Sequence, residues 1–128
     1  MLTILLVTAT LVTSLTELEI LASRRVLQAS VIAEAEAEQA FAEAEMERSE
    51  KALERSESLI ERGITTRDRH DDAVADARKA RAAVQIAAAG IVTAREEHPI
   101  IDAQQRQLEA TIREREVDLA VAEMRLKH

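Results

Sequence analysis

The sequence contains no cysteine, tryptophan or tyrosine, one phenylalanine, one proline and two glycines. The lack of cysteine excludes disulfides, thiolate metal sites and cysteine nucleophiles. The lack of glycine and proline leaves little material for turns, and so for folds built from many short strands. With almost no aromatic side chains, a thick globular core is not expected. Basic blocks are missing as well. The 17 Lys and Arg residues are outnumbered by 24 Asp and Glu, giving a net charge of −7. Phosphate neutralisation needs the opposite sign, and no set of aromatics is present for base stacking. Nucleic acid is therefore not an expected partner.

What the chain does have is charge and small apolar residues, at 32% charged and 47% hydrophobic over 128 residues. Ala, Glu, Arg and Leu dominate, the composition of long helices or a coiled coil. From Ala73 onward, residues spaced alternately four and three apart form one series. It runs Ala73, Ala77, Ala80, Val84, Ala87, Ile91, Ala94, His98, Ile101, Gln105, Leu108, Ile112, Arg115, Leu119, Ala122, Leu126, and 13 of its 16 members are apolar. An unbroken heptad of this kind is what a helix seam requires.

A looser series occupies the first half: Ile4, Val7, Leu11, Ser14, Leu18, Leu21, Arg25, Gln28, Ile32, Ala35, Gln39, Ala42, Met46, Ser49, Leu53, Ser56, Ile60. Eleven of these 17 are apolar. Ala and Ser on both seams predict two slim helices in close approach. Outside the seam, "AEAEAEQAFAEAEMERSEKALERSE" sets Glu and Lys or Arg at helical spacing, as in Glu47 and Lys51, which marks a solvated face.

The break between the two series is "RSESLIERGITTRDRHDDA", residues 55–73. With Gly63 just past a helix end, Leu59 and Ile64 occupy the positions of the hydrophobic pair in a Schellman cap. Thr65 and Thr66 compete as N-cap of the next helix. Asp68 falls third after Thr65 and second after Thr66, and both placements suit the helix dipole. A connection this short forces antiparallel neighbours. The expected fold is all-α: a long antiparallel two-helix coiled-coil hairpin spanning 1–128. Arm one covers about 4–62, a tight turn 62–66, and arm two about 66–127. Pro99 interrupts arm two without shifting the heptad, which predicts a bend or local break between Arg95 and Pro99 rather than a termination.

Chemistry has few footholds. His70, Asp71 and Asp72 are chain neighbours, so on a helix they point about 100° apart and do not converge on an ion. His98 lies beside the proline as an edge residue. No phosphate loop, nucleophile elbow or HExxH motif is present. No catalytic residue, cofactor or metal site is expected. The first 16 residues are uncharged. They fall short of the roughly 20 apolar residues of a spanning helix and lack a basic leader. They are a weak anchor candidate and are read chiefly as the apolar start of arm one.

Arg55, Leu59 and Thr66 stand four and then seven residues apart across the turn, with Gly63 between them and Asp72–Ala73 following. This pattern resembles the hairpin tip of the periplasmic adaptor (membrane fusion protein, HlyD-like) family. "REREVDLAVAEMRLKH" looks like that family's returning helix before its lipoyl-like domain. The resemblance covers about residues 30–128. It implies a non-enzymatic hairpin linking an inner-membrane transporter to a TolC-like outer-membrane channel in efflux or type I secretion. It also implies a location in the periplasm in association with the inner membrane, with neighbouring hairpins of the same kind as further partners. Arg55, Leu59 and Thr66 would meet the channel, and Gly63 would form the turn. The family's lipoyl halves and β-barrel are missing from the sequence, so the chain looks like that family's hairpin alone, either an excised domain or a fragment of a longer adaptor. The alternative reading is a generic coiled-coil scaffold or dimerisation module.

Overall fold

The computed structural model describes all 128 residues. It contains two helices and no strand: α1, Leu2–Glu61, and α2, Arg67–Lys127, of 60 and 61 residues. The two pack against each other as a helical hairpin, with residues 62–66 as the turn. The first-half series holds throughout: each of its 17 members is buried or half-buried. Of the 16 in the second half, only His98 and Leu126 are exposed. Low propensity for a thick core and a strict heptad thus yield one thin interface. By contact, the chain divides into two compact units, Ser30–Arg95 and the two terminal segments Met1–Ala29 with Glu96–His128.

In the turn-bearing unit, the buried residues are Ala42, Ala77, Ala80 and Ile91. Three of these four are alanines, and Ala77 is completely inaccessible. A methyl side chain buries little area, so its value here lies in letting two backbones come close enough for dense packing. Ion pairs clip the edges of this seam. Arg81 Nε donates to Glu50 Oε1 at 3.0 Å and Arg95 Nη2 to Glu36 Oε1 at 2.9 Å. Both are exposed and contribute at most about 1 kcal/mol each, but both fit only an antiparallel pair in this register. The Glu47–Lys51 pair read from the sequence forms along one face of α1, at 3.0 Å.

The unit formed by the terminal segments has larger core residues and a more polar seam. Leu21, Ile101 and Ile112 are buried, and Ile101 is the one large side chain with essentially no exposure. Ser14 and Gln28 are buried beside them. Arg25, a charged member of the α1 series, meets polar members of α2. Its Nε and Nη2 donate to Gln105 Oε1 at 3.0 and 2.7 Å, and Nη2 also pairs with Asp102. Gln105 Nε2 then donates to Glu109 Oε1 at 2.9 Å. The Arg25 hydrogen bond holds the Asp102 carboxyl below the usual carboxylate range, against an opposing effect of its partial burial. Further along, the buried Nε of Arg115 has no partner.

Pro99 lies inside α2, which continues through it, so the local break allowed by the sequence does not occur. The physical reason is location. Residues 95–100 are all exposed, so the Arg95 carbonyl that loses its amide partner to Pro99 belongs to a solvated stretch. The penalty of an unbonded buried carbonyl is avoided. The same exposed run accounts for His98 leaving the seam.

The start of α1 is apolar away from the seam as well. Leu2, Leu5, Leu6 and Val12 are all more than half exposed. An 18-residue window there has a mean hydropathy of 1.7 and is long and apolar enough to cross a membrane by length and composition. The groove beside it mixes α1 residues Ile4 and Val7 with Asp118 and Arg125 of α2. A membrane-spanning α1 in this packing would carry those charges into hydrocarbon, which is costly.

Two outcomes follow from this packing. Truncating Ile101 to Ala should lower stability by about 2–4 kcal/mol in urea unfolding, because the side chain is fully enclosed; a loss below about 1 kcal/mol would contradict that enclosure. Asp102 has a depressed folded-state pKa. Its contribution is complete above the ordinary aspartate range and is lost as pH falls through its own lower value. Asp102→Asn should therefore flatten the acid limb of a stability–pH curve below about pH 4. An acid limb identical to the parent's would count against the Arg25 pairing.

Candidate functional site: the hairpin turn

The turn is closed by backbone hydrogen bonds. Ile64 N–H donates to the Leu59 carbonyl at 2.9 Å and Gly63 N–H to that of Ile60 at 3.0 Å. These are the two bonds of a Schellman motif, with Gly63 at the left-handed position. Gly63 has φ = 70°, and a Cβ built on it would meet nothing within 4 Å. Glycine is needed there for its backbone conformation, not for space.

On the other side of the turn, Thr66 is the N-cap. Its carbonyl accepts the His70 N–H at 3.1 Å, and its Oγ1 accepts the Arg69 N–H at 3.3 Å. Of the two threonines that could serve, the chain uses the second, so Asp68 is the second helical residue. The capping box that would require Thr65 as the cap does not form.

Arg55 and Leu59 lie one turn apart on α1, on the same side of the helix. Arg55, Leu59 and Thr66 are all exposed, Leu59 at 37%. No hydrogen bond or ion pair joins the three. Leu59 and Thr66 have work within the turn, through a carbonyl and a hydroxyl. Arg55 has none: its side chain forms no ion pair, whereas Arg48 and Lys51 just before it pair with Glu45 and Glu47.

Two features of the site were not anticipated from the sequence. Ser56 Oγ and His70 Nδ1 share a hydrogen bond of 3.1 Å across the seam. The signal was available, since His70 lies three residues before Ala73 and so extends the α2 heptad by one place. Ile64, read only as a cap residue, is 66% exposed at the apex. His70, Asp71 and Asp72 do not gather around one point, and no group of three or more His, Cys, Asp or Glu residues is placed to hold a metal.

Compared with known proteins, the chain matches no family model, no curated protein and no solved structure.

Replacing Gly63 with Ala should cost about 1–2 kcal/mol in equilibrium unfolding, as an L-residue is forced into the left-handed region. Asn at the same position should recover much of that loss, since it tolerates this conformation. If Ala and Asn were equally tolerated, the φ argument would be wrong.

Proposed function

We propose that this chain is the hairpin of a periplasmic adaptor, a non-enzymatic element that links an inner-membrane transporter to a TolC-like outer-membrane channel. The observation that carries the reading is Arg55. The turn is built without it, no neighbour pairs with it, and it stands exposed one helical turn from Leu59. An unpaired arginine beside an apolar anchor suits recognition, where its planar fork can donate to carboxylates or to helix-end carbonyls. Leu59 supplies the apolar contact and Thr66 a small hydroxyl at the start of α2. Neighbouring hairpins of the same kind are further partners in this reading. The second reading, a coiled-coil scaffold or dimerisation module, is favoured by the exposed apolar start of α1, which a partner helix could cover.

Site-directed crosslinking to a TolC-like channel tests the proposal. Arg55→Ala and Leu59→Ala should each abolish crosslinks formed from the turn, while circular dichroism shows unchanged helicity. Crosslinking that survives both substitutions would remove the adaptor reading and leave the scaffold.

A further inference from the structure

The far side of α1 carries a second heptad within the unit formed by the terminal segments. From Leu2 to Leu27, eight residues spaced alternately four and three apart are all exposed and uncharged, Leu6 and Ile20 among them. At 3.6 residues per turn this series lies roughly opposite the buried one that starts at Ile4. Leu5, Val12 and Val26 widen it along one edge. Seven of the eight exposed large apolar residues between Leu2 and Leu27 fall on this face, and Leu15 is the exception. They form an uncharged stripe about 38 Å long at 1.5 Å per residue, not a scatter of single residues.

The charges along the stripe make it self-matching. Between Leu2 and Leu27, Arg25 belongs to the seam, and the other three charges stand on the edges of the stripe: Glu17 and Arg24 on one, Glu19 on the other. None of the three has an ion pair in its own chain. The α2 residues that share a groove with Glu17 and Arg24 are Gln104, Gln107, Leu108 and Thr111, which bring no charge. In a parallel, in-register helix pair, residues five apart on opposite edges meet across the interface. That spacing sets Glu19 of each copy opposite Arg24 of the other. An antiparallel pair brings same-edge residues together instead. Covering the whole stripe in that way leaves Glu17 opposite Thr10 and Arg24 opposite Thr3. Sliding Arg24 to Glu17 leaves the stripe before Thr16 uncovered. A lipid surface fits less well. Helices that lie in one carry basic residues along their polar face, and two of these three charges are acidic.

We infer that the outer face of α1 between Leu2 and Leu27 is a second seam, on which a second copy of this chain docks its own α1, parallel and in register about a twofold axis. The inference rests on the dimerisation reading above and deepens it by naming the face, the alignment and the charges that fix it. Leu2, Leu6, Ile20 and Leu27 each meet their twin, and the small residues between them let the two helices come close. The same patch serves both copies, as a twofold interface requires. Two Glu19–Arg24 pairs then flank the apolar contacts, and no like charges stand opposite each other along the stripe.

Sedimentation equilibrium of the full chain tests this. A dimer that dissociates on dilution is expected. Leu6→Asp and Ile20→Asp should each weaken it about tenfold or more, in line with loss of central contacts. Ile86→Asp, at an apolar residue of α2 that is 74% exposed in the other unit, should leave it unchanged. Arg24→Glu and Glu19→Arg should each weaken self-association, and mixing the two variants should restore a dimer, because each acid then faces a base again. Leu27→Cys supplies the only thiol in the molecule, and on oxidation it should link the two copies through identical positions. The substituted residues are exposed, so helicity by circular dichroism should be the same in every variant. A monomeric parent chain, including one that floats with phosphatidylcholine vesicles, would overturn the inference and the dimerisation reading together. A dimer indifferent to Leu6→Asp and Ile20→Asp would overturn the inference alone. A dimer that Leu27→Cys does not crosslink, or that the mixed charge variants do not restore, would overturn the proposed alignment.

Discussion

A protein of two helices can bury apolar surface along only one stripe of each. Everything in this chain answers to that constraint. With no third layer to cover a second face, the seam must be continuous, and it is: 31 of the 33 positions in the two heptad series are at least half-buried. With no thick core to fill, large side chains have nowhere to go, and alanine becomes the natural interface residue. Close backbone approach then substitutes for bulk. Exposed ion pairs, each weak alone, add along the edges and help to hold the partners in line.

Such a seam has a weakness in specificity. A run of alanines repeating every three or four residues offers similar packing if one helix slides by a heptad. The polar members of the seam remove that degeneracy. Arg25 finds Asp102 and Gln105, and Ser56 finds His70, only in the observed alignment. A slip of one heptad would replace Gln105 opposite Arg25 with Ile112 or His98, and so remove the pair of hydrogen bonds that the guanidinium makes to the Gln105 carbonyl oxygen. Polar residues that look like flaws in the apolar pattern are therefore the ones that specify which alignment forms. This follows the logic of a single buried polar residue in a coiled coil.

Much of this was legible in the sequence because helical periodicity is a long-range signal that 60 residues reinforce. The seam in both arms, the turn and the role of Gly63 all follow from spacing and capping chemistry. The cap could be placed only to within a residue, since Thr65 and Thr66 satisfy the same rules and the choice depends on how the backbone leaves Gly63. Pro99 was legible as an irregularity that does not end the helix, but spacing alone left a bend and a local break both open, because the choice turns on whether that stretch is solvated. Cross-seam partners such as Arg25 with Gln105 were hidden for a different reason. Each series shows which residues face inward, but not which member of one helix lies opposite which member of the other. The exposure of Ile64 was hidden behind its capping role, since a backbone bond says nothing of where the side chain goes.

The turn is held by main-chain bonds and by two residues, Gly63 for its φ and Thr66 for its hydroxyl. Residues 62, 64, 65 and 67 contribute no side-chain bond to its closure. The hydrogen bonds that close the turn therefore place no demand on those four side chains. Substitutions there leave intact the main-chain bonds that join the two helices, so the apex can change in charge and polarity while the hairpin that carries it stays closed.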